Sequence, residues 1–175
     1  MGGVDKAALV VGGVPLLDRV LSAARPVCDR LVVVGPERPT EVAGVTFVRE
    51  DVPGGGPVPA VAAGLAAVPD AEIVVLLAVD LPLLGAGHLR RLVAALAGAE
   101  AAAADDEGGP NPLLAAYAAP ALRARANSLG AGARAAALLP AGVVVVDLGP
   151  ATLNVNRPED LAAAERSAPP AGDHE

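Results

Sequence analysis

Apolar residues along this chain follow two different spacings, and the two spacings alternate. After Pro15, the apolar positions of 16–24 recur at helical intervals. Three short runs rich in valine predict buried strands: 31–34, 45–48 and 143–146. The most apolar run, 73–79, is rich in β-branched residues, which predicts a central strand covered on both faces.

The remaining segments extend the same alternation. Helices are expected over 58–68, 87–97, 120–139 (with a break at 129–132) and 159–166, and a strand pair over 100–104 and 112–117. Strands separated by helices predict one α/β domain over residues 1–166, with a mostly parallel sheet and helices on both of its faces. Residues 167–175, rich in Pro, Ala and charged residues, are expected to form a disordered tail.

Composition and charge narrow the classes of partner. Hydrophobic residues make up 53% of the 175 positions and aromatic residues 1%, so the core must be built from Leu, Val and Ala. No apolar run reaches the roughly 18 residues that a membrane span needs, and no signal-peptide pattern is visible. The net charge of -7, without a basic stripe, argues against nucleic acid as a partner. We therefore expect a cytoplasmic protein that binds neither membrane nor nucleic acid.

Lys6 is the only lysine among the 13 basic residues of the chain. An ammonium is a compact point charge on a flexible stem and suits phosphate binding. The planar guanidinium of arginine is not equivalent to it. Gly2 and Gly3 precede it, and two glycines let a backbone approach an anion closely. The segment is therefore a candidate for the end of a phosphate-binding loop, with chance placement of a single charge as the alternative.

Two carboxylates stand where strands are predicted to end. Asp80 follows the most apolar run, at the end of a parallel strand where ligands bind in such sheets. A carboxylate there suits a hard cation such as Mg²⁺, which takes one or two carboxylates plus substrate phosphates. Asp51 follows the strand at 45–48 and could accept hydrogen bonds from a nucleotide. Turn or cap formation by Asp80, and solvation of Asp51, are the alternatives.

Asn154 and Asn156 flank Val155 with a period of two. In an extended segment, both amides would point to the same side and offer acceptors and donors to a polar substrate or a metal shell. Helix capping before Pro158 is the alternative, because asparagine often occupies that position.

In order along the chain, several stretches together resemble the nucleotidyltransferase family that includes molybdenum cofactor guanylyltransferase. They are 2–9, 13–21, 50–51, 56–57, 79–84, 111–117 and 153–161. The resemblance implies a three-layer, Rossmann-like nucleotidyltransferase domain. It also implies a reaction, in which a phosphate of molybdopterin attacks the α-phosphate of GTP and pyrophosphate leaves.

The resemblance further implies roles for the candidate residues. Lys6, with Gly2 and Gly3, would hold the triphosphate, and Asp51 would help to bind the nucleotide. Asp80 would bind Mg²⁺ as the metal ligand, and Asn154 and Asn156 would face the acceptor and the metal. Transient contact with molybdenum-cofactor proteins is also implied. The catalytic pair would then be Lys6 and Asp80, acting by positioning and charge neutralisation rather than as nucleophiles.

The chain departs from the family pattern in two places. Glu37 stands where the guanylyltransferase pattern favours a nucleotide-binding Asn, which leaves a cytidylyltransferase, or another enzyme with a small acceptor, as an alternative. The similarity also starts within the Gly-rich motif, so the family's first strand and most of its loop have no counterpart. We therefore expect that Met1 is an internal codon of a longer frame. A truncated, inactive homologue is the alternative.

Overall fold

Helices separate single strands and pairs of consecutive strands in residues 5–51 and 54–167, which are the residues that the computed structural model describes. The strands are β1 (Val10–Val11), β2 (Val14–Pro15), β3 (Leu31–Val34), β4 (Val45–Val48), β5 (Ile73–Leu77), β6 (Ala101–Asp106), β7 (Gly109–Ala118) and β8 (Val144–Val146). The helices are α1 (Leu16–Ala24), α2 (Pro57–Ala66), α3 (Ala86–Ala95), α4 (Ala119–Ser128) and α5 (Pro158–Ser167). Single 3₁₀ turns occur at Lys6–Ala8, Ala135–Leu138 and Gly149–Thr152.

The larger strands form a parallel pair and a mixed sheet. β3 pairs with β4 in parallel, and the order of the second sheet is β5-β7-β6-β8. β7 is antiparallel to both β5 and β6, while β6 is parallel to β8. Within the second sheet β5, β6 and β8 therefore run in one direction and β7 alone runs against them. The predicted strand pair is confirmed as β6 and β7, and the α/β class is confirmed with it.

Alternate residues of the sheet contribute to two separate cores, which accounts for the three layers. Ala102, Ala104, Leu114 and Ala116 pack with α1 and α3 on one face. Ala101, Ala103, Ala115 and Tyr117 pack with α2 and α4 on the other. This division follows the period of two that a strand imposes on its side chains. The small alanines of β6 and β7 allow the helices of both layers to approach the sheet closely.

Proline and glycine set several helix boundaries. α2 begins at Pro57, after Gly56, whose φ of 88° is a conformation that favours glycine. α5 begins at Pro158 and ends at Ser167, one residue into the predicted tail, and residues 168–175 lie outside the described part. The predicted break after α4 is confirmed by the separate 3₁₀ turn at Ala135–Leu138. No helix among the described residues is long and apolar enough to cross a membrane.

The position of β5 differs from the predicted central place in the sheet. The predicted cover on both faces is confirmed, because Val75 and Leu77 pack against one core and Val74 and Leu76 against the other. β5 ends at Leu77 and lies at one end of the four-stranded sheet, where β7 is its only strand partner among the described residues. Its side chains are half-buried, and 47% of Ile73 is exposed. The reason is that the second edge of β5 faces a groove, whose far wall is β3.

Candidate active site

An ion pair lies at the carboxyl end of β5. Asp80 follows the last residue of that strand by three positions, and Lys6 stands in the first 3₁₀ turn. Lys6 Nζ donates to Asp80 Oδ2 at 2.6 Å and to Asn156 Oδ1 at 2.6 Å. The side chains of Lys6 and Asp80 are 29% and 15% exposed, so solvent screens the pair only in part. Three of the sequence-predicted site residues therefore meet at one nitrogen.

The segment that carries Asn156 is fixed to the rest of the site by backbone hydrogen bonds. The Val155 N–H donates to the Asp80 carbonyl at 3.0 Å, and the Val155 side chain is fully buried. The N–H groups of Asn156 and Arg157 donate to one carboxylate oxygen of Asp160 at 2.9 and 2.8 Å. These two bonds, that from Asn156 first, lower the pKa of Asp160. Asp160 thus caps α5 and holds the Asn156 backbone in place.

A second polar cluster surrounds Asn154. Asn154 Nδ2 donates to the Thr152 carbonyl at 3.0 Å and to Asp106 Oδ2 at 3.5 Å. The same Asp106 oxygen accepts a bond of 3.1 Å from Asn111 Nδ2, and Asn111 Oδ1 accepts the Leu113 N–H at 2.9 Å. Asp106 and Asn111 were not among the predicted site residues. Their signals in the sequence are an acidic residue and an amide on either side of a short polar turn, and the place of Asn111 at the start of the stretch 111–117 that carries the family resemblance.

The two asparagines have different partners, although both point away from the core. Val155 between them is buried, Asn154 is half-buried and Asn156 is exposed, which is the alternation of an extended segment. Asn156 contacts Lys6, whereas Asn154 contacts Asp106. The spacing in the sequence predicted that both amides lie on one side of the segment. That Asp106 holds Asn154 is seen only in the hydrogen bonds of the structure.

Of the other predicted residues, Asp51 is described by the structure and no contact brings it to this ion pair. Asp51 is exposed, follows β4 by three positions, and makes no hydrogen bond or ion pair with any residue of the described ranges. Gly2 and Gly3 lie outside those ranges. A second cation, Arg38, comes near instead: its Nη1 lies 2.9 and 2.7 Å from the two carboxylate oxygens of Asp5, the neighbour of Lys6.

The arrangement places a group that can bind an anion beside oxygen atoms that can bind a metal ion. Lys6 offers an ammonium, and Asp80 and Asn156 offer a carboxylate and an amide oxygen, which are hard ligands. Within residues 5–51 and 54–167, no group of three or more His, Cys, Asp or Glu side chains could hold a metal ion without other ligands. A cation at Asp80 would therefore need amide oxygens, water or substrate phosphates to complete its shell, as Mg²⁺ sites typically do.

Comparison with known families gives a match over most of the chain. The family model described as a MobA-like NTP transferase domain matches residues 1–143. A molybdenum cofactor guanylyltransferase of Cereibacter sphaeroides is 35% identical over 178 residues, covering 94% of this chain and 89% of the relative. One from Bradyrhizobium is 38% identical over 102 residues, covering 54% of this chain.

Two of the matched relatives are covered over only about half of their length. The chain spans about half the length of the Bradyrhizobium protein and of a Xanthomonas euvesicatoria guanylyltransferase, 48% and 47% respectively. Among solved structures, the molybdopterin-guanine dinucleotide biosynthesis protein A of Archaeoglobus fulgidus is similar with a TM-score of 0.70. It is 22% identical, with 94% of this chain and 90% of that chain covered. At that identity the likeness shows the fold alone.

Proposed function

We propose, since the chain belongs to the MobA-like NTP transferase domain family, that it transfers GMP from GTP to molybdopterin. A phosphate oxygen of the acceptor attacks the α-phosphorus, the bond to the bridging oxygen breaks, and pyrophosphate leaves. The observation that carries the proposal is the ion pair of Lys6 with Asp80 at the carboxyl end of β5. In sheets of this class, ligands bind beyond the carboxyl ends of the strands.

Lys6 is the proposed triphosphate ligand. Its ammonium is held by Asp80 and Asn156, both at 2.6 Å. A triphosphate would take over some of these bonds, because phosphate oxygens are strong acceptors and carry more charge than an amide. A positioned cation stabilises the negative charge that develops on the phosphate during transfer. This stabilisation of the transition state is largest in a site shielded from water. The partial burial of Lys6 and Asp80 supports this role.

The donor set around Lys6 fits Mg²⁺. The Asp80 carboxylate and the Asn156 amide oxygen already converge on one positive charge, the Lys6 ammonium. Asp80, with help from Asn154 or Asn156 and the phosphates, would hold the ion. When bound, Mg²⁺ supplies charge neutralisation at the phosphates. The chain's own contribution is to orient these oxygens, through the hydrogen bond from Val155 N–H to the Asp80 carbonyl.

Asn154 and Asn156 are the proposed acceptor ligands, and Asp51, Gly2 and Gly3 remain proposed nucleotide ligands. The position of Asn154 supports its role. Asp106 and the Thr152 carbonyl fix its amide nitrogen, so its side-chain oxygen can accept a hydrogen bond from the substrate. GTP and molybdopterin would meet in the cytoplasm, and transient contact with molybdenum-cofactor proteins would pass the product on. Each of these assignments follows from the proposed activity.

Pyrophosphate release tests the function. The purified chain would be mixed with Mg²⁺, molybdopterin and either GTP or CTP, and Mg-dependent binding of each triphosphate would be followed by calorimetry. We expect release with GTP and a clear preference for GTP over CTP. Preference for CTP would replace the guanylyltransferase with a cytidylyltransferase, to which the departure at Glu37 points. Absence of Mg-dependent binding of either triphosphate would identify an inactive homologue.

A further inference from the structure

Two segments that follow different strands meet at Asp5 and Lys6. Arg38, four residues after β3, donates from Nη1 to both carboxylate oxygens of Asp5 at 2.9 and 2.7 Å. Lys6, the next residue, donates to Asp80, three residues after β5, at 2.6 Å. The turn that carries Lys6 therefore lies at the carboxyl ends of both strands, where ligands bind in sheets of this class.

The side chain of Asp5 contacts Arg38 and does not cap its own turn. Asp5 occupies the N-cap position of the 3₁₀ turn Lys6–Ala8, where an aspartate commonly accepts a backbone N–H through its carboxylate. Its side chain makes no such bond here, and the Ala8 N–H donates at 3.2 Å to the backbone carbonyl of Asp5 instead. The turn does not need the Asp5 carboxylate for its own hydrogen bonds, so that carboxylate serves the contact with Arg38.

The other contacts of the turn involve Ala7 and the Lys6 ammonium itself. Ala7 is half-buried and packs against the core that contains α1 and α3. The ammonium is held by Asp80 and Asn156. In the proposed function a triphosphate takes over bonds of that ammonium, and a flexible stem does not by itself fix a point charge. During transfer, the place of the turn would then depend on Ala7 and Asp5.

The loop that carries Arg38 is anchored to α1. The Thr40 hydroxyl donates to a carboxylate oxygen of Asp18 and accepts the Val42 N–H at 3.2 Å. Asp18 belongs to α1 and is only 7% exposed. A buried carboxylate needs the hydrogen bonds that it accepts, so this contact holds the loop at a fixed point of the helix. The anchor is made without the Lys6 turn.

Prolines restrict the backbone around Arg38. Pro36 and Pro39 flank Glu37 and Arg38. The proline ring fixes its own φ, and a residue directly before proline avoids the helical region. Arg38 therefore extends from a constrained backbone whose anchor lies elsewhere, and the loop sets the place of Asp5 rather than the reverse.

We propose that Arg38 is a positioning residue for Lys6. Through Asp5 it fixes the backbone of the turn, so that the ammonium stays in place while its own hydrogen bonds are exchanged for those of a substrate. The inference rests on the proposed function for the part that Lys6 has in transfer. The contact acts by placement, because the side chains of Arg38 and Asp5 are 23% and 56% exposed and an ion pair with such exposure adds little to folding.

Direct binding of a phosphate by Arg38 is the alternative. A guanidinium is a good phosphate ligand. However, Nη1 of Arg38 already donates to both oxygens of Asp5. That nitrogen would have to leave a carboxylate in order to bind a phosphate, whereas positioning uses the contact as it stands.

The single lysine of the chain makes the proposal measurable without a substrate. Protein produced with lysine that carries a heavy nitrogen isotope at its backbone amide gives one amide signal, that of Lys6. The order parameter S² of this amide would be measured by nuclear magnetic resonance for the natural protein, Arg38→Ala, Asp5→Ala and Arg30→Ala. Arg30→Ala is the matched control, because Arg30 also forms an ion pair, with Asp70 at 2.8 Å, but directly precedes β3.

We expect an order parameter of about 0.85, the value of a rigid backbone, for the natural protein and for Arg30→Ala. In Arg38→Ala and in Asp5→Ala it should fall below about 0.6, the range of a flexible segment. An unchanged value in either of these two variants would overturn the proposal. An equal fall in Arg30→Ala would also overturn it, because the effect would then not depend on the contact with Asp5.

The kinetics of transfer test whether Arg38 acts through Lys6. Arg38→Ala should lower kcat by roughly ten- to a hundredfold, since a misplacement of about 1 Å can cost about 10² in rate. Arg38→Lys should recover most of this loss, because a single nitrogen makes both contacts with Asp5 and an ammonium can do the same. Added to Lys6→Ala, Arg38→Ala should change kcat by less than about twofold, as for residues that act as a unit.

A loss of the same size from Arg38→Ala with and without Lys6 would show that Arg38 binds the substrate itself, and would overturn the positioning role. Failure of Arg38→Lys to recover activity would also contradict it. Absence of transfer by the natural protein would contradict the proposed function alone, because the order parameters need neither nucleotide nor acceptor. The inference and the proposed function can therefore fail separately.

Discussion

Lys6 and Asp80 are 74 positions apart in the chain, yet the Lys6 ammonium lies 2.6 Å from a carboxylate oxygen of Asp80. The proposed triphosphate ligand and the proposed metal ligand are therefore hydrogen-bonded to each other. A nucleotide carrying Mg²⁺ would separate them, since phosphate would take the ammonium and the cation would take the carboxylate. The pair keeps both groups in position and compensates each charge until then.

Replacement of Lys6 by alanine is expected to lower kcat/KM for transfer by about 10²–10³, the usual cost of removing one preorganised donor to developing charge. Lys6→Arg should restore only part of the activity, because a guanidinium is planar and less compact than an ammonium. Steady-state pyrophosphate release measures both. Arg30→Ala is the matched control, since it also removes one cation from an ion pair but at the opposite end of β3. Equal losses in the Lys6 and Arg30 variants would contradict the role of Lys6.

Replacement of Asp80 by asparagine should raise the Mg²⁺ concentration needed for half-maximal activity and reduce kcat by about 10² or more. The change keeps the shape of the side chain and removes the charge that a hard cation prefers. A magnesium titration of transfer at saturating nucleotide measures the effect. Asp70→Asn is the control, because Asp70 is paired with a single Arg outside the site. An unchanged magnesium requirement in Asp80→Asn would remove Asp80 from the metal site.

Asp106 is expected to act through Asn154. Asp106→Ala removes the oxygen that accepts bonds from Asn154 and Asn111, so the Asn154 amide loses one of its two fixed contacts. We expect the KM for the acceptor to rise about tenfold, in the range of one hydrogen bond to a charged group, with the KM for GTP unchanged. Asn154→Ala should have the same signature.

Asp105→Asn is the control for Asp106, because Asp105 is the neighbouring carboxylate, is exposed, and its side chain makes no hydrogen bond or ion pair within the described ranges. Parallel kinetics in molybdopterin and GTP distinguish the two effects. A rise in both KM values, or a loss in kcat alone, would contradict a positioning role.

Stability should fall on acidification in a way that depends on His88. Its Nδ1 accepts the Gly85 N–H at 3.0 Å at the start of α3, which requires an unprotonated nitrogen. Burial, and secondarily Arg91, lower the pKa of His88 from its ordinary 6.5. Because the folded pKa lies below the unfolded one, the contribution is complete above about pH 6.5 and is lost as the pH falls through the folded value.

The variant His88→Gln keeps an acceptor but does not titrate. Thermal unfolding at pH 7 and pH 5 should therefore show a larger decrease in Tm for the natural protein than for His88→Gln. Similar decreases in the two proteins would show that the pH dependence arises elsewhere. His88→Ala, which has no acceptor, should be less stable than His88→Gln at pH 7.

Local pattern was sufficient to predict most elements and to select Lys6 and Asp80 as candidate residues. The spacing of apolar residues predicted α1, β3, β4 and the β6–β7 pair because each element's own residues determine its period. Lys6 was noticed because it is the single lysine, and Asp80 because it follows the most apolar strand. Their contact could be anticipated only through the resemblance to a family, since nothing local joins positions so distant.

Interactions between distant segments account for what was missed. Asp106 and Asn111 stand around a polar turn that needs no further explanation in sequence, and only the arrival of Asn154 gives them a common partner. The apolar run of β5 correctly indicated cover on both faces, which the helices of the two cores provide. A run of residues does not specify which strand lies along each edge. The described structure has β7 on one side and the groove on the other.

The bond between Lys6 and Asn156 spans 150 positions, which has a consequence for the order of events during synthesis. At about 5–20 residues per second, roughly 8–30 s pass between the addition of these two residues by the ribosome. During that interval the early part of the domain can fold, but the Lys6 ammonium lacks one of its two oxygen partners. The site is thus completed only after Asn156 has been made, so a chain that terminates before that residue would lack one of the two oxygen partners of Lys6.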